Sequence, residues 1–195
     1  ELYRLSWFVV VLVSLSLCRA QRPAFGRCPE VLPKEDFDIS EFAGEWVEVE
    51  RSFYIFESST TCPKLNFTVF PNDTMKVEVQ YNVPWRGTLS KSSYVVDDVS
   101  ATPGVFNMVL QSNLPSVLAR LAPGSGKYIV LDTNYKDFAL IYSCTDFRLL
   151  HADFIWVLGR TTDISVDART IVYSTLDKLK INRDRLLLTP NKECS

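Results

Sequence analysis

Short segments of alternating apolar and polar residues recur along most of the chain. The clearest is MKVEVQYNV at 75–83, in which Val77, Val79 and Tyr81 alternate with polar side chains. Alternation of this kind predicts a β-strand with one buried face and one face in water. Comparable segments bounded by turn residues predict eight strands in all, at 47–56, 65–70, 75–83, 88–99, 104–111, 127–133, 137–144 and 153–160.

A single segment, residues 165–180, has helical periodicity instead. Its apolar positions recur near helical spacing, and Ser165 supplies a typical N-cap. The segment therefore predicts one helix that lays an apolar stripe on a sheet. Eight antiparallel strands and one late helix fit an up-and-down barrel, which has no exposed sheet edges, or a β-sandwich. The pattern alone leaves both architectures open.

The first 20 residues follow a different pattern. An apolar run at 8–17 follows Arg4, and the small residue Ala20 precedes a polar segment. This layout predicts a secretory signal peptide at 1–20, and residues 21–195 are then expected to form a single domain. A membrane anchor is the alternative, but the run is about ten residues long and a spanning helix needs roughly 20.

The net charge and the cysteines limit the classes of function that the chain could have. The formal net charge is −2, which gives no basic face for nucleic acid. Without the signal peptide four cysteines remain, and an even number in a secreted chain predicts two disulfides, with all three pairings open. Zinc is the alternative, but the chain has no C-x-x-C motif and one histidine, so we predict no metal site. The four residues are Cys28, Cys62, Cys144 and Cys194.

Two acceptor motifs for N-glycosylation agree with secretion. They are Asn66-Phe67-Thr68 and Asn72-Asp73-Thr74. This modification belongs to the surface of secreted proteins. We therefore predict that Asn66 and Asn72 carry glycans.

Three separated motifs resemble the lipocalin family. Gly44-Glu45-Trp46 matches the family's Gly-x-Trp signature at the start of the first strand. Residues 131–144, LDTNYKDFALIYSC, are similar to the Thr-Asp-Tyr segment that enters the seventh strand, with Asn134 in place of the usual aspartate. Residues 154–160, FIWVLGR, end in the arginine expected on the last strand, Arg160. Within the family, the chain resembles the apolipoprotein D, insect bilin-binding and Lazarillo types.

The resemblance implies a fold and a closed end. We expect an eight-stranded antiparallel up-and-down β-barrel with one C-terminal α-helix packed on it. Gly44, Trp46 and Arg160 are expected to close the base of the barrel, with the guanidinium packed across the indole in a mainly structural role. The cysteine positions of these lipocalins imply the pairs Cys28–Cys144 and Cys62–Cys194. Both disulfides would be structural and would leave no free thiol.

Candidates for a ligand pocket come from the resemblance and from strand alternation. The tryptophan of the FIWVLGR segment lies where the resembling lipocalins have a pocket tryptophan, with core packing as the alternative. The apolar face of 75–83 supplies three candidates, although a one-residue slip in register would exchange the faces. The segment 104–111 supplies two more. We expect six residues to line the pocket: Trp156, Tyr81, Val77, Val79, Phe106 and Met108.

Two carboxylates complicate the first strand. Glu48 and Glu50 share a face with Trp46 if the strand is regular. A carboxylate inside an apolar barrel is unfavourable unless it is paired, in which case it would mark a polar anchor for a ligand. The interpretation that we favour is a bend in the strand that returns the carboxylates to water.

The open end of the barrel carries an unusual loop at 112–126. It is either a lid or patch that touches lipid surfaces, or a short helical turn packed on the rim. His151 suggests a haem ligand, but we expect it in a loop, within a segment that matches the apolipoprotein D pattern, and we do not assign it a ligand role. The apolar residues of the loop are Leu114, Val117, Leu118 and Leu121.

The resemblance implies a secreted, extracellular carrier that binds a small hydrophobic ligand in the barrel cavity. The ligand classes are bilin pigment, retinoid, sterol and fatty acid, and no cofactor is required besides such cargo. We expect a monomer and no enzyme activity, because the cysteines are paired and one histidine supplies no convincing Ser-His-Asp or Cys-His set. The alternative is an interaction protein that acts at cell surfaces, on a lipid surface or a receptor, through its open-end loops.

Overall fold

A computed structural model describes residues 24–52, 60–72, 74–96, 99, 101–191 and 194. The predicted signal peptide at 1–20 lies outside these residues, as does the end of the first predicted strand. The strands in the described part are β1 (Ala24–Phe25), β2 (Gly44–Ser52), β3 (Thr61–Val69), β4 (Met75–Val83), β5 (Thr88–Val96), β6 (Val105–Leu110), β7 (Gly126–Thr133), β8 (Phe138–Asp146), β9 (Leu150–Gly159) and β10 (Leu186–Leu188). The helices are α1 (Ile39–Phe42), α2 (Ser116–Leu121) and α3 (Val166–Lys178), followed by a 3₁₀ turn at Arg183–Arg185.

Strands β2 to β9 form a closed antiparallel barrel. Each of them pairs with the next strand in the sequence, and β9 pairs back with β2. The β9–β2 pairing confirms the predicted eight-stranded up-and-down barrel and excludes the β-sandwich. Closure also explains why both faces of the strands carry apolar residues, since one face lines the interior and part of the other lies under α3.

Helix α3 packs on the outside of the barrel, as predicted. Its N-cap is Ser165, whose Oγ accepts a hydrogen bond from the Ala168 amide at 3.1 Å. The same hydroxyl donates to the Asp137 carboxylate in the β7–β8 turn, which ties the start of the helix to the barrel. Ala168, Val172 and Leu176 form the buried stripe. Their spacing of four residues places them on one helix face, where they cover outward-facing residues of β8 and β9.

The upper half of β2 carries a bulge. Glu48 lies opposite Leu158 of β9, whereas Glu50 lies opposite Val157, so one residue of β2, Val49, is extra. The bulge changes the alternation along the strand. Before it, Glu48 faces the barrel interior; beyond it, Arg51 faces the interior and Glu50 faces outward.

The C-terminal segment completes the wall beside β2. On β2, strand β3 pairs only with Gly44–Val47. Beyond that point β10 pairs with Glu50, Arg51 and Ser52 on the same side of β2. Cys62 at the start of β3 is connected to this segment, because its amide donates to the Pro190 carbonyl at 3.3 Å. The chain end therefore lies between two strands that have separated.

Two disulfides attach the segment before β2 and the segment after β10 to the barrel. Cys28 is bonded to Cys144 on β8, with their Cα atoms 6.0 Å apart. Cys62 is bonded to Cys194, with their Cα atoms 5.6 Å apart. These are the pairs that the lipocalin resemblance implies. Within the described residues, no helix has the length and apolar character needed to span a membrane.

Candidate functional site

An aromatic layer and one arginine seal the lower end of the barrel. Trp46 is fully buried, and its indole Nε1 donates to the Phe42 carbonyl at 2.8 Å. The Arg160 guanidinium lies 3.7 Å from the centre of the indole ring. Gly44 has a φ of +96°, a conformation that disfavours side chains, and it allows the chain to turn beneath this pair. Phe42 and Phe67 pack edge-to-face above it, so the base admits no ligand.

Arg160 also satisfies backbone carbonyls at the base. It donates to the carbonyls of Glu45 at 2.8 Å and Tyr135 at 2.9 Å. It donates as well to carbonyls at the end of α1, which lack partners within the helix. Burial lowers the pKa of Arg160, but a guanidinium stays charged at physiological pH. The residue therefore joins α1, β2, β9 and the β7–β8 turn.

Asn134, which is uncharged, stabilises the β7–β8 turn through hydrogen bonds to its side-chain oxygen. Its Oδ1 accepts hydrogen bonds from the amides of Asp137 at 2.8 Å and Phe138 at 3.0 Å. Thr133 Oγ1 donates to the Phe138 carbonyl and closes the turn from the other side. A neutral side-chain oxygen is therefore sufficient here. The nearby contact to α3 is made by the Asp137 carboxylate instead.

Above the aromatic layer the barrel encloses a cavity of about 120 Å³. Five of the six predicted pocket residues line it: Trp156, Tyr81, Val79, Phe106 and Met108. Val77 does not line it. It faces the interior one inward position nearer the base, where it is fully buried opposite Phe67.

Several lining residues are not found by strand alternation. Tyr94 stands in the polar segment 88–99, and Tyr128 in a strand with no regular alternation. Tyr94 lies opposite Val77 and Tyr128 lies opposite Phe106. Since Val77 and Phe106 face the interior, strand pairing would have indicated that both tyrosines face it too. The remaining lining residues are Glu48, Arg51, Thr60, Pro63, Leu65, Phe67, Pro123, Gly124, Ile141 and Leu158.

The two first-strand glutamates do not return to water, so the favoured interpretation was wrong in that respect. Glu48 is 3% exposed and lines the cavity, where Arg51 Nη1 lies 2.6 Å from its Oε1. Glu50 does leave the interior because of the bulge, but it is 2% exposed beneath α3. There it is paired with Arg169 and accepts a hydrogen bond from the Tyr173 hydroxyl at 3.0 Å.

The Glu48 carboxylate is held from two directions. Arg51 approaches along β2, and Thr189 Oγ1 donates to Oε1 at 2.7 Å from the C-terminal segment. Asn191 Nδ2 donates to the Glu48 carbonyl at 2.6 Å. Burial raises the pKa of Glu48, opposed by the attraction of Arg51 and by these hydrogen bonds to the carboxylate. The cavity thus has one polar wall, on β2, and apolar or aromatic walls elsewhere.

The 112–126 loop contributes Pro123 and Gly124 to the cavity lining at the open end of the barrel. The Tyr94 hydroxyl donates to the Pro123 carbonyl at 3.1 Å, and the Tyr128 hydroxyl donates to the Gly124 carbonyl at 3.0 Å. A side chain on Gly124 would overlap the Tyr94 hydroxyl. Helix α2 is anchored on the rim through its buried Ala119, whereas its apolar neighbours remain exposed: Leu114, Val117, Leu118 and Leu121. The loop is thus both a rim-packed helical turn and an apolar surface.

His151 lies on β9 and not in a loop, which corrects its expected position. Its Nδ1 lies 3.1 Å from the Gly26 carbonyl, and the residue does not line the cavity. Among the described residues, no group of three or more potential ligand side chains could hold a metal ion.

The predicted glycosylation sites differ in accessibility. Asn72 is exposed in the β3–β4 turn, where its Oδ1 accepts from the Thr74 hydroxyl at 2.8 Å. Asn66 is half-buried on β3, next to the inward-facing Phe67 in sequence. Their modification stays a prediction.

Comparison with known proteins agrees with this architecture. The model of the lipocalin / cytosolic fatty-acid binding protein family matches residues 43–193. The chain belongs to this family. Apolipoprotein D of Cavia porcellus is 31% identical over 171 residues, which cover 87% of this chain and 85% of the relative. The bilin-binding protein of Pieris brassicae is 26% identical over 175 residues, 87% of this chain and 86% of the relative.

A solved structure supports the fold of this lipocalin. Insecticyanin from the tobacco hornworm Manduca sexta superposes with a TM-score of 0.74 at 21% identity. The superposition covers 88% of this chain and 91% of insecticyanin. At this identity the likeness shows the fold alone. The closed strand pairing and the packing of α3 on β8 and β9 confirm the expected barrel with one C-terminal helix packed on it.

Proposed function

We propose that this lipocalin is a secreted carrier that holds one small hydrophobic molecule inside the barrel. The observation that carries the proposal is a cavity with a sealed base and walls that are mostly apolar or aromatic. Burial of apolar ligand surface there would supply roughly 25 cal/mol per Å². The Pieris brassicae relative is named for bilin binding, which supports a carrier of this kind.

The volume of the cavity limits which molecules fit without movement. The cavity of about 120 Å³ is smaller than pockets for drug-sized ligands, which occupy about 300–1,000 Å³. A bilin, retinoid, sterol or fatty acid therefore requires the cavity to widen, and we propose that the 112–126 loop moves outward to admit it. The two tyrosine hydrogen bonds to Pro123 and Gly124 are the contacts that must break. We expect cargo as the only bound group and no catalytic turnover.

Secretion is part of the proposal. Both disulfides suit an oxidising compartment, and in the described part of the chain all four cysteines take part in them. Signal-peptide removal near Ala20 and glycosylation at Asn66 and Asn72 would follow from passage through that compartment. Expression of residues 1–195 in a eukaryotic secretory host, with N-terminal sequencing and glycosidase treatment of the secreted protein, tests all three.

The carrier function is tested by direct titration. Protein recovered from the medium would be examined by visible absorption and native mass spectrometry, and the apo form titrated with biliverdin, retinoic acid and a long-chain fatty acid. We expect tryptophan quenching with micromolar or tighter affinity for one of these. Trp156→Phe should lose most of the quenching because Trp156 lines the cavity. Trp85→Phe is the matched control, since Trp85 is exposed on the rim. Absence of binding by all three compounds would contradict the carrier function.

A second function is supported by the surface around the mouth. Exposed apolar side chains cluster in the open-end loops, with Val117 68% and Leu121 77% exposed. Trp85, Phe147 and Leu149 are exposed in the neighbouring loops at the same end. Such a patch fits contact with a lipid surface or a receptor. Flotation of the wild-type protein with lipid vesicles, compared with Val117→Ser/Leu121→Ser, tests the lipid case, and equal flotation of both proteins would contradict it.

A further inference from the structure

We propose that Glu48 makes the cavity select uncharged cargo over carboxylate cargo, and that carboxylate cargo binds together with one proton. This inference rests on the carrier function proposed above. It extends that function in two ways: the cavity prefers ligands of one charge state, and Glu48 determines that preference.

The inference begins with where the charges lie. Among the described residues that line the cavity, Glu48 and Arg51 are the only charged ones. They are 3% and 7% exposed and form an ion pair with 2.6 Å between Arg51 Nη1 and Glu48 Oε1. The carboxylate also accepts the Thr189 hydroxyl. Glu48 is therefore a fixed negative charge with its positive partner, built into the wall against which cargo would lie.

Uncharged cargo leaves this arrangement unchanged. A hydroxyl or carbonyl on a hydrophobic molecule can form a hydrogen bond with one member of the pair without altering the charge of the wall. Such a ligand gains apolar burial in the rest of the cavity and introduces no charge to be desolvated. Its affinity should therefore not change with pH around neutrality.

Carboxylate cargo meets a different situation. Its head group would seek Arg51, which places a second carboxylate within a few ångströms of Glu48 in a poorly solvated site. Two carboxylates that share such a site repel each other, which favours uptake of one proton that the two groups share. Burial already raises the pKa of Glu48, so a proton is readily accepted there. Each carboxylate ligand should therefore bind with uptake of about one proton.

The other described groups around Glu48 do not add a charge to the cavity wall. The C-terminal segment contributes Thr189 and Asn191, which are uncharged. On the far side of the β2 wall, Glu50 is paired with Arg169 of α3. Within the part of the chain that the structure describes, the remaining titratable groups that line the cavity are phenols from three other strands: Tyr81, Tyr94 and Tyr128.

The test compares retinol with retinoic acid, which share one apolar body and differ in the head group. Both are titrated into the intact protein by tryptophan quenching between pH 6.5 and 8.5 in about half-unit steps. The slope of log Kd against pH counts protons taken up on binding. We expect a slope near one for retinoic acid, a slope near zero for retinol, and tighter binding of retinol at the upper end of this range.

Glu48→Gln should reverse the preference. Removing one negative charge a few ångströms from the ligand head group should tighten retinoic acid on the order of tenfold to a hundredfold at the upper pH, with retinol changed by less than about threefold. The retinoic acid slope should fall to near zero. Glu50→Gln is the matched control, because it makes the same change on the same strand at a buried glutamate outside the cavity. It should leave the ratio of the two affinities unchanged.

The outcomes separate this inference from the carrier function. If both retinoids bind but Glu48→Gln leaves their affinity ratio unchanged, the inference is overturned and the carrier function stands. If Glu48→Gln does not fold, the wild-type slopes decide, and a flat slope for retinoic acid overturns the inference. If neither retinoid binds wild type or either variant, both the inference and the carriage of such cargo are overturned.

Discussion

Arg160 offers a direct test of how the base of the barrel is held together. Replacing it with Met keeps most of the side-chain volume but removes the guanidinium that lies 3.7 Å from the Trp46 ring centre. It also removes the donor to carbonyls of Glu45 and Tyr135 and at the end of α1. We expect the Arg160→Met protein to remain folded but to lose stability.

The magnitude follows from these contacts. A partly desolvated cation–π contact is worth about 1–2 kcal/mol. Hydrogen bonds from a charged donor contribute about 1.5–3 kcal/mol each, but water can replace those on the exposed side of the base. We therefore expect Arg160→Met to lower the free energy of unfolding by about 2–4 kcal/mol. Arg160→Lys keeps the charge, but one ammonium does not span the separate carbonyls, so it should recover about half of the loss.

The assay is urea unfolding followed by far-ultraviolet circular dichroism. Arg86→Met is the matched control, because Arg86 lies 4.3 Å from the ring centre of Trp85, which is 68% exposed on the open-end rim. An exposed pair of this kind should contribute about 0.5 kcal/mol or less. If Arg160→Met and Arg86→Met had equal effects, or if Arg160→Met changed stability by less than about 0.5 kcal/mol, this account of the base would be refuted.

Three further predictions concern the mouth, the buried carboxylate and the chain end. Tyr94→Phe/Tyr128→Phe removes the two hydrogen bonds to the 112–126 loop and should speed ligand association in stopped-flow quenching; an unchanged rate would mean that the loop does not limit entry. Burial raises the pKa of Glu48 above its ordinary value of 4.5, so the wild type should lose stability relative to Glu48→Gln as the pH rises from 4.5 through the raised pKa. Urea unfolding at each pH measures the difference in stability, and a difference that does not change with pH would contradict the raised pKa. Cys62→Ser/Cys194→Ser should lower stability by about 2–5 kcal/mol in the same assay; a loss below about 1 kcal/mol would show that β10 pairing alone holds the segment.

The sequence predicted the architecture well because the architecture depends on repeated local patterns. Strand-like segments bounded by turn residues located the eight barrel strands, and the periodicity at 165–180 located α3 with Ser165 as its N-cap. The choice between barrel and sandwich did not follow from these patterns, because both bury one strand face. It depended on motifs at the base, such as Gly44-Glu45-Trp46, whose similarity to lipocalins carries information about strand closure.

The parts that could not be predicted depend on irregularity and on distant contacts. The bulge at Val49 changes which side chains face inward, and alternation contains no signal for one inserted residue. Arg51 was therefore not predicted to line the cavity, although the sequence places its positive charge next to Glu48 and Glu50. Val77 was assigned to the pocket because alternation identifies a face but not the height at which the aromatic layer ends. The position of the 112–126 loop beside the cavity depends on the hydrogen bond from Tyr94 to Pro123, 29 residues away in sequence.

The C-terminal segment connects these irregular features to the chemistry of the cavity. Strand β3 separates from β2 beyond Val47, and the space between them is occupied by β10 and the residues after it. That placement brings the Thr189 hydroxyl to Glu48, and the Cys62–Cys194 bond holds the segment in position. The polar wall therefore depends on a residue, Thr189, that lies 141 residues after Glu48 in sequence. A buried carboxylate is tolerated in this otherwise apolar barrel because a local bulge supplies its cation and the chain end supplies its hydrogen-bond donor.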